Sequence, residues 1–363
     1  MDWHKLSKLA ESELARFDIA HLNLIAAQGL PGAERLDIAR CLRTLDEWTE
    51  RVRGYTQRIA HQFHRNPGEW ENCWERFLIA AMLTHLQRDI GLSYPPALRE
   101  MDDRSFYKNA AHLFVHGVVD EPGGTCSSLP VVYTAIGRRL GYSLKLVLGN
   151  RHLFARWDAP GQPRFNVECT SRGFVSHPDE HYLNWPTPVP PEDVVSNGLL
   201  RSMTPREELV IFLGNRGAVW SANQAYGDAV EAYVHAYRLA PNLRYNLLQL
   251  QDATAFWGRQ LRSRTPVGFP GITIAGARGL PPGLSRELAG EITYLAILEY
   301  WLNQSAANQH LWEPMRRDPS VRPPGLPDWI DATYSYHKGQ ATGPAFSFRT
   351  NLPKDCCFQI TTG

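Results

Sequence analysis

The chain has 363 residues, with 38 basic and 37 acidic side chains, so its formal charge is +1. Hydrophobic residues make up 43% and charged residues 21%, which is typical of a folded globular protein, and the length predicts two or three domains. The balanced charge argues against a nucleic-acid partner, because no basic excess is present to replace phosphate counterions. No apolar run approaches the roughly 18 residues of a membrane helix, and the N-terminus lacks the apolar stretch of a signal peptide. We therefore expect a cytoplasmic protein with no membrane partner.

Six cysteines are spread along the chain without CxxC pairs. This pattern predicts neither a disulfide scaffold nor a zinc ribbon, and most of the six are expected to be small buried apolar residues. They are Cys41, Cys73, Cys126, Cys169, Cys356 and Cys357.

Residues 1–100 are predicted to form a helical N-terminal region. Apolar side chains from Leu42 to Ile59 recur at steps of three and four, which places them on one face of a helix. A second helix is expected from Glu71 to Asp89, with its end near Gly91.

Residues 101–195 are predicted to form an α+β core. One helix should begin near Cys126, after the glycines of EPGGTC, and run to Leu140, where Gly141 provides a stop. Short segments rich in β-formers follow and predict an antiparallel sheet. These strands are Leu144–Leu148, His152–Trp157 and Arg164–Cys169, and the proline-rich run Trp185–Asp193 is the expected exit linker.

The C-terminal part is predicted to be helical at first and rich in proline and glycine later. Glu207–Arg216 and Val219–Leu239 are expected to form a hairpin that resembles one tetratricopeptide (TPR) unit within a region spanning 196–265. One unit cannot stack into an array, so this region is expected to pack as a helical appendage. Residues 266–363 should contain a helix at Ser285–Gln304 and then an irregular tail.

Cys126 is the candidate nucleophile. The thiolate is the reactive form of cysteine, and a helix N-terminus stabilises it through the helix dipole and free N–H groups. The preceding glycines would let a substrate backbone approach closely. On these features alone, a buried inert cysteine is the better interpretation.

His152 and Glu168 strengthen the hypothesis that Cys126 is a nucleophile. A hairpin centred on Pro160, in the loop DAPGQP, would place His152 directly opposite Glu168 on neighbouring antiparallel strands. A carboxylate that faces an imidazole fixes its tautomer and stabilises its charged form. The order of cysteine, histidine and carboxylate predicts a thiol catalytic triad, in which the histidine accepts the thiol proton and later protonates the leaving amine.

The oxyanion of such a reaction needs hydrogen-bond donors. The backbone N–H of Cys126 is the expected first donor. The second donor is left open among Asn109, Gln87 and Trp74.

The blocks GTCSSLPVVYTAIGRRLGYSLKLVLGNRHLFARW and RFNVECTSRGF resemble the core of transglutaminase-like proteins, a superfamily with a papain-like cysteine-enzyme fold. The chain is most similar to a bacterial branch with a helical N-terminal region and a TPR-like C-terminal segment, over roughly residues 15–245. The resemblance implies a catalytic helix packed on an antiparallel sheet, with Cys126 as nucleophile, His152 as base and Glu168 as acid. The better-known transglutaminases carry aspartate at the third position, and glutamate is longer by one methylene.

The resemblance implies acyl transfer through a thioester, without a cofactor, on a peptide or protein substrate. Hydrolysis of a peptide, isopeptide or side-chain amide bond by a protease, amidase or deamidase is the favoured outcome, because no amine pocket is evident. One alternative is an amine-accepting transglutaminase or an amide-forming acyltransferase. A second alternative is an inactive scaffold that binds a protein partner through the TPR-like helices, although all three triad positions hold competent groups.

Histidine pairs offer a competing metal-site interpretation. His61 and His64 lie three residues apart on a predicted helix, and His177 and His181 lie four apart in HPDEH. Neither pair has an evident third ligand, so structural or solvated roles are favoured and no metal is expected. The segment HPDEHYLNW could instead line the cleft behind Glu168.

Overall fold

The computed structural model describes residues 2–121 and 123–264, together with eight separate positions between 288 and 302. The chain divides into two compact units between Gln224 and Ala225, inside the segment 196–265 that was predicted to be TPR-like. Most of the predicted helix Ser285–Gln304 lies outside the described residues. The tail from Pro314, with Cys356 and Cys357, also lies outside them.

The first unit combines many helices with one small sheet. Its helices before the sheet are α1 (Trp3–Leu6), α2 (Glu11–Leu14), α3 (Ile19–Ala27), α4 (Ile38–Arg65), α5 (Trp74–His85), α6 (Pro96–Arg99), α7 (Asp103–Phe106), α8 (Val115–Asp120) and α9 (Leu129–Arg139). The strands are β1 (Leu144–Gly149), β2 (His152–Trp157) and β3 (Phe165–Val167), and the later helices are α10 (Asp179–Asn184), α11 (Pro191–Ser196) and α12 (Pro205–Ala222).

The N-terminal helices follow the predicted hydrophobic pattern. α4 is longer than its apolar stripe and buries Leu45, Trp48 and Val52 on the predicted face. α5 covers part of the predicted helix, and the chain continues through a π-helical turn over Leu86–Ile90 before Gly91 adopts the left-handed conformation. Gln87 of that turn forms hydrogen bonds with Ser171 and Gly173, in the loop that follows Glu168.

The central helix begins later than the sequence predicts. α9 starts at Leu129 with Ser128 as its cap, so Cys126 lies in the preceding turn rather than in the helix. The predicted end is confirmed, because Gly141 adopts a φ of +85° directly after the last turn. α9 is buried along most of its length and packs on β1 and β2.

The three strands form one antiparallel sheet in the order β1-β2-β3. β2 was predicted with its observed bounds, whereas β3 is only three residues long because Glu168 bonds to Val175 outside the ladder. The segment 200–203 covers the other edge of β1, where the N–H groups of Leu200 and Met203 donate to strand carbonyls at 2.8 and 2.9 Å. Helices together with this antiparallel sheet give an α+β fold, as predicted.

The predicted break between Arg216 and Val219 is wrong. α12 runs without interruption from Pro205 to Ala222, because a capping box of Thr204 and Glu207 begins it and its apolar residues continue to pack on α3. The turn comes after α12, where the second unit begins with α13 (Tyr226–Leu239) and α14 (Arg244–Arg264), which pack against each other. Across the described helices, none is both long and apolar enough to cross a membrane.

Candidate active site

Cys126 lies in a tight turn that leads into α9. The turn is closed by hydrogen bonds in both directions between Thr125 and Ser128, at 3.2 Å between Ser128 N and Thr125 O and 3.0 Å between Thr125 N and Ser128 Oγ. The Cys126 side chain is partly exposed. Its backbone N–H donates to no acceptor in the part of the chain that the structure describes, so it is free to bind a developing oxyanion.

The glycines before Cys126 serve the packing of the protein itself. A Cβ on Gly124 would lie 2.9 Å from atoms of Leu129, Ser128 and Val118, and one on Gly123 would lie 2.6 Å from Pro95 Cγ. The absence of side chains therefore lets neighbouring segments close around the turn. The expectation that these glycines make room for a substrate has no support in this geometry.

His152 is the first residue of β2, directly after the turn at Asn150 and Arg151. Arg151 adopts a φ of +54°, a left-handed conformation that is strained for a side chain other than glycine. The imidazole that follows this turn is buried, with only 5% of His152 exposed. The ring stacks on Tyr182 at 6.0 Å and meets Trp185 edge to face at 5.1 Å between ring centroids.

Glu168 meets His152 diagonally rather than directly across the strands. β2 and β3 pair Ala155 with Val167, so the hairpin is centred on Gly161 and the register differs by two residues from the predicted one centred on Pro160. A shift of two residues keeps every side chain on the same face of the sheet, whereas a shift of one would reverse it. His152 Nε2 therefore still lies 2.8 Å from Glu168 Oε2.

Four donors surround the buried Glu168 carboxylate. The backbone N–H and the hydroxyl of Thr170 donate to Oε1 at 2.9 and 2.5 Å. His152 Nε2 and the Tyr182 hydroxyl donate to Oε2 at 2.8 and 3.2 Å. Hydrogen bonds to the charged form of a carboxylate offset the cost of its burial.

The electrostatics of the pair favour the charged form of both groups. Burial alone would lower the pKa of His152, but its hydrogen bonds to Cys126 and Glu168 raise that pKa to about 9. Burial alone would raise the pKa of Glu168, but the hydrogen bond and charge of His152, with the Thr170 donors, lower it to about 2. Since Nε2 is occupied by Glu168, Nδ1 is the ring nitrogen left to face the thiol.

A second buried network holds Tyr182 in place. Arg156 of β2 is fully buried and donates to Asn166 Oδ1 at 2.6 Å, to Leu200 O at 2.8 Å and to Asp179 Oδ1 at 2.5 Å. Asp179 begins α10, which carries Tyr182 into a stack on Phe154 with ring centroids 4.0 Å apart. The network therefore joins α10 to the sheet and positions the hydroxyl that donates to Glu168.

The other described cysteines differ from Cys126 in their surroundings. Burial raises the pKa of Cys41 to about 11, and it also raises the pKa values of Cys73 and Cys169. Cys126 is partly exposed, and its interaction with the His152 imidazole contributes to the raised pKa of that histidine. Burial also raises the pKa values of Tyr94 and Tyr107.

The three residues considered for the second oxyanion donor make contacts elsewhere. The Asn109 carboxamide oxygen accepts from Ala111 N at 2.9 Å, and the Gln87 amide binds the loop at Ser171 and Gly173. Trp74 stacks on Phe77 with ring centroids 4.9 Å apart. None of these contacts reaches Cys126.

The histidine pairs are accounted for by other contacts. His61 Nδ1 lies 3.0 Å from Arg58 O, and His64 stacks on Trp74. The rings of His177 and His181 stack on each other at 4.0 Å. Within the described ranges, no three His, Cys, Asp or Glu side chains are grouped so that they could hold a metal ion.

Thr170 and Tyr182 are the site residues that the sequence reasoning missed. Thr170 lies two residues after Glu168, a spacing at which a hydroxyl and a backbone N–H can both reach back to a carboxylate. Tyr182 belongs to HPDEHYLNW, and its bond to Glu168 agrees with the interpretation that this segment lies behind the acid.

Comparisons with known proteins provide no independent assignment. No protein-family model matches the chain, and neither a curated protein nor a solved structure matches it.

Proposed function

We propose that this protein is a transglutaminase-like cysteine enzyme that uses Cys126, His152 and Glu168 for acyl transfer through a thioester. The observation that carries the proposal is the buried His152–Glu168 ion pair, whose imidazole also interacts with the partly exposed thiol of Cys126. Structural cysteines seldom have such a partner, whereas a nucleophile needs one.

The architecture around the three residues supports a papain-like interpretation of the fold. The nucleophile precedes a buried helix, α9, which packs on the antiparallel sheet; the base is the first residue of β2, and the acid directly follows β3. The sequence resemblance to transglutaminase-like proteins implies the same arrangement. Fold and resemblance thus both support acyl chemistry at the Cys126 thiol.

The reaction we propose begins with attack of the Cys126 thiolate on an amide carbonyl carbon. The Cys126 N–H binds the oxyanion of the tetrahedral intermediate, and the His152 imidazolium donates its proton to the departing amine. A thioester remains on Cys126. Water then attacks the thioester carbonyl while the neutral His152 accepts its proton; collapse of the intermediate releases the acid and restores the Cys126 thiolate beside the His152 imidazolium.

We favour water over an amine as the acceptor because the partly exposed thiol is open to solvent. The substrate would be a peptide or protein with a backbone, isopeptide or side-chain amide. With a primary amine as acceptor, the same thioester would give a new amide, so the two outcomes differ only in the second step.

Thiol labelling tests the nucleophile without knowledge of the substrate. The folded chain is treated with iodoacetamide at pH 7 and the labelled cysteines are identified by peptide mass spectrometry. Cys126 is expected to react fastest, and Cys73, which is also partly exposed, is the matched internal control. Equal rates at Cys126 and Cys73 would refute the proposal.

Trapping of the acyl group identifies the substrate class and the acceptor. Wild-type chain and Cys126→Ala chain are incubated with a peptide library, quenched in acid and analysed by intact mass. A thioester adduct is expected on the wild-type chain alone. Its decay in water, with and without added methylamine, then separates hydrolysis from amine transfer.

A further inference from the structure

A cavity of about 670 Å³ lies between the segment 84–100 and the loop 169–173. Its lining combines the buried residues Tyr133 and Cys169 with exposed arginines, Arg88, Arg99 and Arg172. A cavity of this volume accommodates a side chain or a short peptide end. No step of the reaction described above uses it.

The walls of the cavity are tied together. Gln87 Nε2 donates to Ser171 O at 3.0 Å, and Gln87 Oε1 accepts from Gly173 N at 2.8 Å. Arg99, also in the segment 84–100, makes a further link to the loop. Its guanidinium donates to Thr170 O at 3.1 Å and lies 4.8 Å from the Tyr94 ring centroid. The site is therefore formed before any ligand binds, which lowers the entropic cost of binding.

Positive charge dominates the opening of the cavity. Arg88 is neutralised by Asp89, which accepts from its guanidinium at 2.7 and 3.1 Å. Arg99 and Arg172 form no ion pair with any residue in the described ranges, and the lining contains one carboxylate, that of Glu100. Since Arg99 uses one of its five N–H donors on Thr170, most of its donors remain available to an anion.

The cavity also adjoins the triad. Thr170 accepts from Arg99 through its carbonyl and donates to Glu168 through its N–H and hydroxyl. On the other wall, Ser93 accepts a hydrogen bond from Gly124, two residues before Cys126. A group held in the cavity would thus lie beside the acid end of the triad.

We propose that this cavity is a substrate subsite that binds the carboxylate of a peptide-like acyl donor through Arg99 and Arg172. Guanidinium groups pair with carboxylates through charge-assisted and often bidentate hydrogen bonds. This subsite rests on the proposed function, from which its substrate class is taken. The group that it recognises is a carboxylate. The carboxylate comes either from an acidic side chain or from a peptide C-terminus.

Binding to the Cys126→Ser chain tests the subsite without any reaction. The probes are acetyl-Ala-Glu-Ala-amide, acetyl-Ala-Ala-Ala with a free C-terminus and, as the neutral control, acetyl-Ala-Gln-Ala-amide. Binding is measured by calorimetry at low salt for the parent, Arg99→Gln and Arg172→Gln chains. Arg43→Gln is the matched control, because Arg43 is exposed on α4 and does not line the cavity.

At least one carboxylate peptide is expected to bind about tenfold more tightly than the neutral peptide. That preference should disappear in Arg99→Gln and Arg172→Gln but persist in Arg43→Gln. Tighter binding of the glutamate peptide indicates a side-chain carboxylate, and tighter binding of the free C-terminus indicates a terminal one. Absence of a carboxylate preference, or its survival in both cavity variants, would overturn the subsite. Failure of Cys126 labelling would instead count against the proposed function.

Discussion

Two buried carboxylates of the first unit have opposite electrostatics. Glu208 of α12 is 1% exposed and accepts from both terminal nitrogens of Arg138, yet burial still raises its pKa. Glu168 is 5% exposed, and its surroundings lower its pKa to about 2. Both carboxylates belong to ion pairs, so burial alone does not explain the difference.

The difference lies in the number of donors and in the chemistry of the cation. Glu168 accepts from Thr170, Tyr182 and His152, whereas the carboxylate of Glu208 accepts from Arg138. Arginine stays protonated at any physiological pH, so its pair can only hold elements together. Histidine can gain and lose a proton, so the His152–Glu168 pair can serve proton transfer. Substitution of the cation, or of the carboxylate, in each of the two ion pairs separates a role in proton transfer from a role in stability.

Substitution of His152 and of Arg138, the cationic members of the two ion pairs, should give the largest difference in Cys126 labelling. His152→Ala is expected to slow the labelling of Cys126 by about 10²- to 10⁴-fold, because no base remains to accept the thiol proton. Arg138→Ala should leave the labelling rate within about twofold of wild type. It should nevertheless lower the free energy of unfolding by about 3–5 kcal/mol, because Glu208 would be buried without its partner. Labelling rates and urea denaturation measure the two effects, and an Arg138→Ala chain as slow as His152→Ala would contradict the comparison.

Substitution of the carboxylates should give a smaller contrast of the same kind. Glu168→Gln keeps the shape of the side chain but not the charge that stabilises the imidazolium. Labelling of Cys126 should slow by about tenfold for each unit by which the pKa of His152 falls. Glu208→Gln should leave labelling unchanged and lower the free energy of unfolding by about 1–3 kcal/mol. If Cys126 is labelled at the wild-type rate in Glu168→Gln, the His152–Glu168 ion pair does not contribute to the reactivity of the thiol.

The pH dependence tests the cause of the raised histidine pKa. NMR titration of His152 should give a midpoint near 9, and the midpoint should move toward 6.5 in Glu168→Gln. The protonated ring stabilises the folded state fully below pH 6.5, and that contribution is lost as the pH rises through about 9. The difference in unfolding free energy between wild type and Glu168→Gln should therefore shrink between pH 7 and pH 10. His21, whose pKa is lowered by burial, is the control resonance and should titrate below 6.5 in both chains.

Loss of the tyrosine hydroxyl should give the smallest effect. Tyr182→Phe removes the 3.2 Å hydrogen bond to Glu168 and keeps the stack on Phe154, so a loss of about 1 kcal/mol in unfolding free energy is expected. Labelling of Cys126 should slow by less than about fivefold, with a lower His152 midpoint in the NMR titration. Labelling of Cys126 should be slower in Tyr182→Leu, which also loses the stack on Phe154, than in Tyr182→Phe. Equal midpoints in wild type and Tyr182→Phe would remove Tyr182 from the set of positioning residues.

Local sequence patterns were sufficient for the elements that carry the site. Alternating β-formers between turn residues predict β2 with its observed bounds, and the spacing of apolar residues predicts the buried face of α4. The start of α9 was less predictable, because the hydrogen bonds between Thr125 and Ser128 form a separate turn that helix propensity does not describe. Cys126 is consequently held by a turn rather than by the helix itself.

The residues alone predict the order of cysteine, histidine and carboxylate and the common face of the β2–β3 hairpin toward which His152 and Glu168 project. The face follows from the two-residue period of a strand, which holds for any even shift of register. The register of β2 and β3 became known only from the folded chain, because it depends on where the 158–164 connection lets the two strands pair. The folded chain also shows that Thr170 and Tyr182 donate to Glu168 and that Arg99 and Arg172 open onto a common cavity. These contacts join segments distant in the chain, and packing rather than local spacing brings such segments together.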